Sequence, residues 1–145
     1  VPEGQPLSME EALNLPEGVT ITYREVAVCD SYPEGEENFF SMLATDGNRF
    51  LVLKFDLYNG SGQDQSIDIL SQGAAFKVTA NGNVTRRALT TMLLDDLTIY
   101  KGSVAAGSST ETVVVVEVQS SVADNLSSLS LNLNNDSKTY TAQFF

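Results

Sequence analysis

Two segments of this chain carry apolar residues with a period of two, and they limit the fold more than any other feature. Phe50 to Tyr58, FLVLKFDLY, places Leu51, Leu53, Phe55 and Leu57 on one side and Lys54 and Asp56 on the other. Glu111 to Gln119, ETVVVVEVQ, places Val114, Val116 and Val118 on one face. Val113 and Val115 lie opposite, so this strand is expected to be covered on both sides. A period of two belongs to strands, and no stretch sustains the 3.6-residue period of a long helix.

Shorter segments repeat the pattern. Val19, Ile21 and Tyr23 alternate with Thr20, Thr22 and Arg24; the alternation slips at Glu25 and resumes in the other phase at Val26 and Val28. One extra residue does this, which predicts a β-bulge near Arg24-Glu25. Asn59-Gly60-Ser61-Gly62 ends the central strand as a turn. Ile67 and Ile69 form a short strand, and Phe76, Val78 and Ala80 another, closed by Asn81-Gly82 so that Val84 to Ala88 pairs back as a hairpin. Thr91 to Leu97 reads as a helical turn or a corner, and Thr98 to Val104 as extended. Leu129, Leu131 and Leu133 alternate, Asn134 to Ser137 turns, and Tyr140, Ala142 and Phe144 alternate to the end.

Three stretches lack this period. The opening VPEGQP is a flexible lead-in, and Ser8-Met9-Glu10-Glu11 is a capping box for a short helix that Pro16 and Gly18 stop. Residues 29–49 read as a long irregular connection, in which Phe39, Phe40, Met42 and Leu43 are expected to make a helical turn plugging the core edge. The expected organisation is a linker and short helix over 1–18 and one domain over 19–145. That domain is all-β, an immunoglobulin-like antiparallel β-sandwich of roughly eight strands with a short N-terminal helix before it.

Composition narrows the chemistry. The 145 residues include 19 acids and 8 bases, a formal net charge of −11. Most of the excess lies in residues 1–46, where Arg24 is the one base. Such a field repels phosphate backbones, so nucleic acid is not an expected partner. With no His, Ser-His-Asp and Cys-His catalysis within one chain are excluded. Cys29 is the one Cys, so no internal disulfide forms. Its acidic neighbours Asp30, Glu34, Glu36 and Glu37 disfavour a thiolate, and it reads as a small residue at a strand end. The richness in Ser, Thr, Asn, Gly and Val and the scarcity of Lys tilt the compartment toward the cell exterior. The first residue, Val1, points to a processed or cut chain, with any signal peptide or lipid-attachment segment upstream.

Each candidate site has a plain structural reading beside it. Asp95-Asp96 could hold a cation, but adjacent carboxylates on an extended chain point apart, and solvated turn carboxylates capping a short helical turn are expected instead. The run from Asp30 to Glu37 has the charge for Ca²⁺ without EF-hand spacing, and reads as a solvated loop. Arg86-Arg87 is the one basic doublet; an exposed strand pair is expected, one of the two reaching an acid of the first third. Asn59, Asn83, Asn125 and Asn135 stand in Asn-x-Ser/Thr tripeptides, glycan acceptors in a eukaryotic secreted protein and turn residues in a bacterial one. Phe39-Phe40 and Phe144-Phe145 read as core plugs. No catalytic, cofactor-binding or metal-ligating residue is assigned.

Four segments resemble a known family: GNRFLVLKFDLYNGSG (Gly47 to Gly62), FKVTANG (Phe76 to Gly82), LLDDLTIYKGSVAAGSSTETVVVVEV (Leu93 to Val118) and LSLNLNN (Leu129 to Asn135). Together they resemble the DUF4352/DUF5067 group of bacterial surface lipoprotein domains, which have a telokin-like, immunoprotective-antigen β-sandwich. Ala106 and Ser108 depart from the Pro and Glu usual there, while Gly107 still supplies the positive φ of the turn. The resemblance implies an extracytoplasmic domain, lipid-anchored or fused to others, most often in a Gram-positive organism, with no catalytic residue to carry over. The expected role is a non-catalytic binding, adhesion or spacer module for an unknown protein or cell-wall ligand, touching the membrane only through an upstream lipid anchor. The alternative is a small hydrolase dependent on carboxylates or Ca²⁺.

Overall fold

The computed structural model describes residues 8–32, 42–89, 96–135 and 138–145. Helix α1 (Met9–Ala12) opens with the expected capping box: the Glu11 amide donates to Ser8 Oγ at 3.1 Å, and the Ser8 amide to Glu11 Oε1 at 3.3 Å. Strand β1 (Val19–Cys29) follows, then the two-residue strands β2 (Ser31–Tyr32) and β3 (Met42–Leu43). Next come β4 (Asn48–Asn59), β5 (Gln65–Asp68), β6 (Ala75–Ala80) and β7 (Val84–Arg87). The chain ends with β8 (Lys101–Val104), β9 (Ser109–Gln119), helix α2 (Ser120–Asp124), β10 (Leu129–Asn135) and β11 (Lys138–Gln143).

The strands form an antiparallel β-sandwich. One layer is three-stranded, in the order β1-β4-β9; the other is four-stranded, in the order β11-β10-β6-β7. The ribbons β2–β3 and β5–β8 flank them. The two alternating segments of the sequence are neighbours at the centre of the first layer: Leu51 pairs with Val116 and Leu53 with Val114, on the inner face. Phe76, Val78, Leu129, Leu131 and Leu133 face them from the second layer, all buried. Burying one such Leu or Phe contributes about 1.5–3 kcal/mol.

The slip in β1 is a bulge. Tyr23 pairs with Phe55 and Glu25 with Lys54, so Arg24 is the extra residue. Tyr23 stacks on Phe144 at 4.0 Å between centroids, and both meet Phe55 edge-on. Past the bulge, Ala27 and Cys29 fall on the outer face with Phe50, Val52, Val113 and Val115, which form a second buried cluster. The expectation that β9 is covered on both sides therefore holds.

Some local expectations are corrected. Met42 and Leu43 are not helical; they pair with Tyr32 and Ser31 as strand, because backbone pairing satisfies both segments. Phe39 and Phe40 lie outside the described residues. Thr98 and Ile99, expected to be extended, belong with Leu97 to a 3-10 turn, Leu97–Ile99, which the Asp96 side chain caps. Ile69 leaves β5 to start a second 3-10 turn, Leu70–Gln72. Helix α2 was not legible at all: five residues without an apolar repeat bury only Ala123.

Candidate functional site

Two buried amides lock connections of the sandwich. The first, Asn59, fully buried, closes β4. Its Nδ2 donates to the carbonyls of Gln63 at 2.6 Å and Val104 at 2.8 Å, and its Oδ1 accepts from the amide and hydroxyl of Ser61. Both of its amide hydrogens are engaged, so the glycan-acceptor reading of Asn59 is overturned. Gly18 meets this turn so closely that a Cβ there would sit 2.7 Å from Ser61 Cβ, and its φ of +89° already favours glycine. Pro16, Glu17, Gly18, Ser61, Gln63 and Gln65 line a groove of about 530 Å³ here, with Glu17 its one carboxylate.

The second amide, Asn135, 5% exposed, donates to Ala12 O at 2.8 Å and Gln72 Oε1 at 2.6 Å. Gln72 in turn donates to Leu13 O and Asp68 O. Lys138 Nζ reaches Asn14 Oδ1 and the Glu11 carbonyl. This network fastens α1, whose Met9 and Ala12 are core residues together with Leu13 just after it. Asn135 is thus no glycan acceptor either.

Asn125 donates its Nδ2 to Ser121 O and ends α2, while Asn83 is exposed in the β6–β7 turn. That turn is the Asn81-Gly82 hairpin expected from the sequence, with positive φ at both residues. Asn81 Oδ1 accepts from the Ser127 amide at 2.7 Å, tying the hairpin to the loop before β10.

The acidic candidates separate. Asp96 caps a short turn as expected, accepting from the amide and hydroxyl of Thr98 at 2.9 and 2.7 Å, but it is 1% exposed rather than solvated. Asp95 lies outside the described residues, as do Glu34, Glu36 and Glu37. Asp30 is exposed and lies 3.5 Å from Arg49 Nε. Among the described residues, no three His, Cys, Asp or Glu groups converge as a metal site. Hydrogen bonds from Asn48 hold the Glu117 carboxyl below its ordinary pKa, with the Thr45 amide assisting. Burial raises the phenols of Tyr23, Tyr100 and Tyr140.

The basic doublet is exposed on β7, the edge strand of the four-stranded sheet. Among the described residues neither Arg86 nor Arg87 pairs with an acid, so the expected bridge to the first third is not seen there. Arg87 borders a cleft of about 210 Å³ whose other walls include Leu70, Ala74, Phe76, Ala88 and Ile99. Cys29 is buried in the outer cluster, at the strand end where it was expected. Phe144 packs on the core as expected, whereas Phe145 is 47% exposed.

No protein-family model matches the chain, and no curated protein matches it. Solved structures do. An uncharacterised β-sandwich protein from Clostridium difficile 630 superposes with a TM-score of 0.55 at 13% identity, over 90% of this chain and 88% of its own. A conserved hypothetical protein from Bacillus anthracis gives 0.53 at 12% identity, over 90% and 89%. At these identities the likeness is one of fold: this chain is a β-sandwich domain of the architecture those two proteins share.

Proposed function

We propose that this chain is a non-catalytic, extracytoplasmic binding module of a bacterial surface lipoprotein, related to the DUF4352/DUF5067 group. One observation carries the reading. The buried polar side chains among the described residues are Asn59, Asp96, Thr112 and Asn135. Asn59 and Asp96 hold turns, Thr112 Oγ1 donates to Phe55 O at 3.3 Å, and Asn135 holds α1. Each is directed at the frame rather than into a cleft, as suits a stiff scaffold that presents loops and sheet faces. The resemblance of residues 47–135 and the secreted-type composition support the location.

Two measurements test the reading. Labelling cells that express the full gene product with a radioactive fatty acid should mark the protein; an unlabelled cytosolic product would sink the location. Millimolar Ca²⁺ should leave the melting temperature within ~1 °C of its value in chelator. A Ca²⁺-dependent hydrolase saturated a hundredfold above its Kd would instead gain about 2.7 kcal/mol, several degrees.

A further inference from the structure

The four-stranded sheet differs from the rest of this acidic chain. Its strands, residues 75–80, 84–87, 129–135 and 138–143, contain no Asp or Glu, yet they carry Lys77, Arg86, Arg87 and Lys138. Two of these bases face outward together. Phe76 and Val78 point into the core, so Lys77 between them points out, and the register sets Arg87 directly opposite it. Directly opposed residues have Cβ atoms about 5 Å apart, and like charges placed so are destabilising. No acid among the described residues relieves the pair, in a chain with 19 acids available.

The rest of the two rows around this pair is hydroxyl and amide. The register aligns Thr141, Asn132, Lys77 and Arg87 in one row across the sheet, and Gln143, Ser130, Thr79 and Thr85 in the next. Thr141 Oγ1 donates to Asn132 Oδ1 at 2.8 Å, and the hydroxyls of Thr79 and Thr85 lie 2.9 Å apart, which puts each pair on one face. A row of four strands spans about 14 Å, the length of about three sugar rings.

We propose that this face binds a short acidic glycan, with a sugar carboxylate between Lys77 and Arg87 and sugar hydroxyls on the Thr, Ser, Asn and Gln side chains. The assignment rests on the binding-module reading above and names its ligand class. Two cations at one point supply charge-assisted hydrogen bonds to a carboxylate. The rows contain no aromatic ring on which a base could stack and no apolar anchor of the kind protein interfaces use. The net charge of −11 opposes a long polyanion, which keeps the ligand short and the affinity modest.

Three trimers separate the chemistry, read by amide chemical shifts of the isotope-labelled chain. Tri-galacturonate should shift amides of β6, β7 and β10 with a millimolar-range Kd. Maltotriose, which lacks the charge, and tripolyphosphate, which lacks the hydroxyls, should each bind at least tenfold more weakly. The Lys77→Gln/Arg87→Gln double variant should lose tri-galacturonate at least tenfold. Lys77→Glu, which turns the pair into an ion pair, should lose it too while melting no lower than the parent, so the loss is not unfolding. Absence of shifts on this sheet, binding unchanged in either variant, or equal binding of tripolyphosphate or maltotriose would overturn the assignment. Cleavage of the bound trimer would instead overturn the non-catalytic reading and leave the face in place.

Discussion

Two like-charge pairs face outward from opposite layers of the sandwich, and only one of them is neutralised within the described residues. On the three-stranded sheet Asp56 lies directly across from Glu111. The bulge in β1 adds Arg24, whose Nη1 is 3.4 Å from a carboxylate oxygen of each. On the four-stranded sheet Lys77 lies across from Arg87, and among the described residues no counter-charge accompanies them. Among the described residues, the same geometric problem is thus solved internally on one sheet and left open on the other. A surface that is only scaffold is expected to relieve its repulsions; an open one is where a ligand's charge is useful.

The largest test of this contrast concerns what lies beside each pair. The outer face of the three-stranded sheet continues into the cluster of Phe50, Val52, Val113 and Val115, all 1% exposed or less. Phe50→Ala should therefore cost about 3–5 kcal/mol in urea unfolding. Asn132→Ala, on the outer face of the other sheet, should change stability by less than ~0.5 kcal/mol. Equal losses would mean that both outer faces are structural, and the contrast would fail.

Reversing Arg24 comes next in size. Arg24→Glu puts three acids together where a cation had bridged two. The side chain is 53% exposed, which limits the loss to about 1–2 kcal/mol at low salt, shrinking as salt is added. A loss independent of salt would show that Arg24 acts through the packing of the bulge rather than through charge.

The sequence exposed the frame of this comparison better than its contents. The β1 bulge was legible because a missed beat in Val19-Ile21-Tyr23 against Val26-Val28 has one simple cause, and Asn81-Gly82 was legible because few residues accept two positive φ values. Asn59 and Asn135 read as turn residues or glycan acceptors, since nothing local shows that a turn will be buried. The partner of Asn135 in α1 is Ala12, 123 positions away. Short segments such as α1 and α2 carry too few residues for a periodic signal. The Lys77–Arg87 pair escaped notice for a related reason: Arg86-Arg87 drew attention as a doublet, but the opposed residue depends on register, which is a tertiary fact.

Acid titration should distinguish the sheets as well. Glu117 on β9 accepts from Asn48 Nδ2 at 2.7 Å, which lowers its folded pKa relative to the unfolded chain. A lowered carboxyl pKa contributes stability above the unfolded value and loses it as pH falls through the folded one. Glu117→Gln should therefore flatten the acid side of the stability profile and leave the neutral-to-alkaline side unchanged in slope. The four-stranded sheet has no carboxylate in its strands, so Thr85→Ala should leave the acid slope as it was. A flattened slope in both variants would assign the acid sensitivity to the fold as a whole.

The smallest effect is also the one whose sign matters most. Lys77→Ala removes half of an opposed pair, along with a long aliphatic stem that covers some sheet surface. If the pair is repulsive and open, losing the charge offsets the lost packing, and the unfolding free energy should stay level or rise by a few tenths of a kcal/mol at low salt. Added salt screens the repulsion in the parent, so the difference should shrink toward zero or turn slightly unfavourable near 1 M. The matching change at the neutralised pair, Arg24→Ala, should go the other way, losing stability at low salt because Asp56 and Glu111 are left facing each other. Opposite signs at low salt that converge at high salt would show that the two sheets differ in charge compensation alone. A loss on both sides would mean that Lys77 is held by contacts within the protein, and the four-stranded face would then have no unmet charge to offer a ligand.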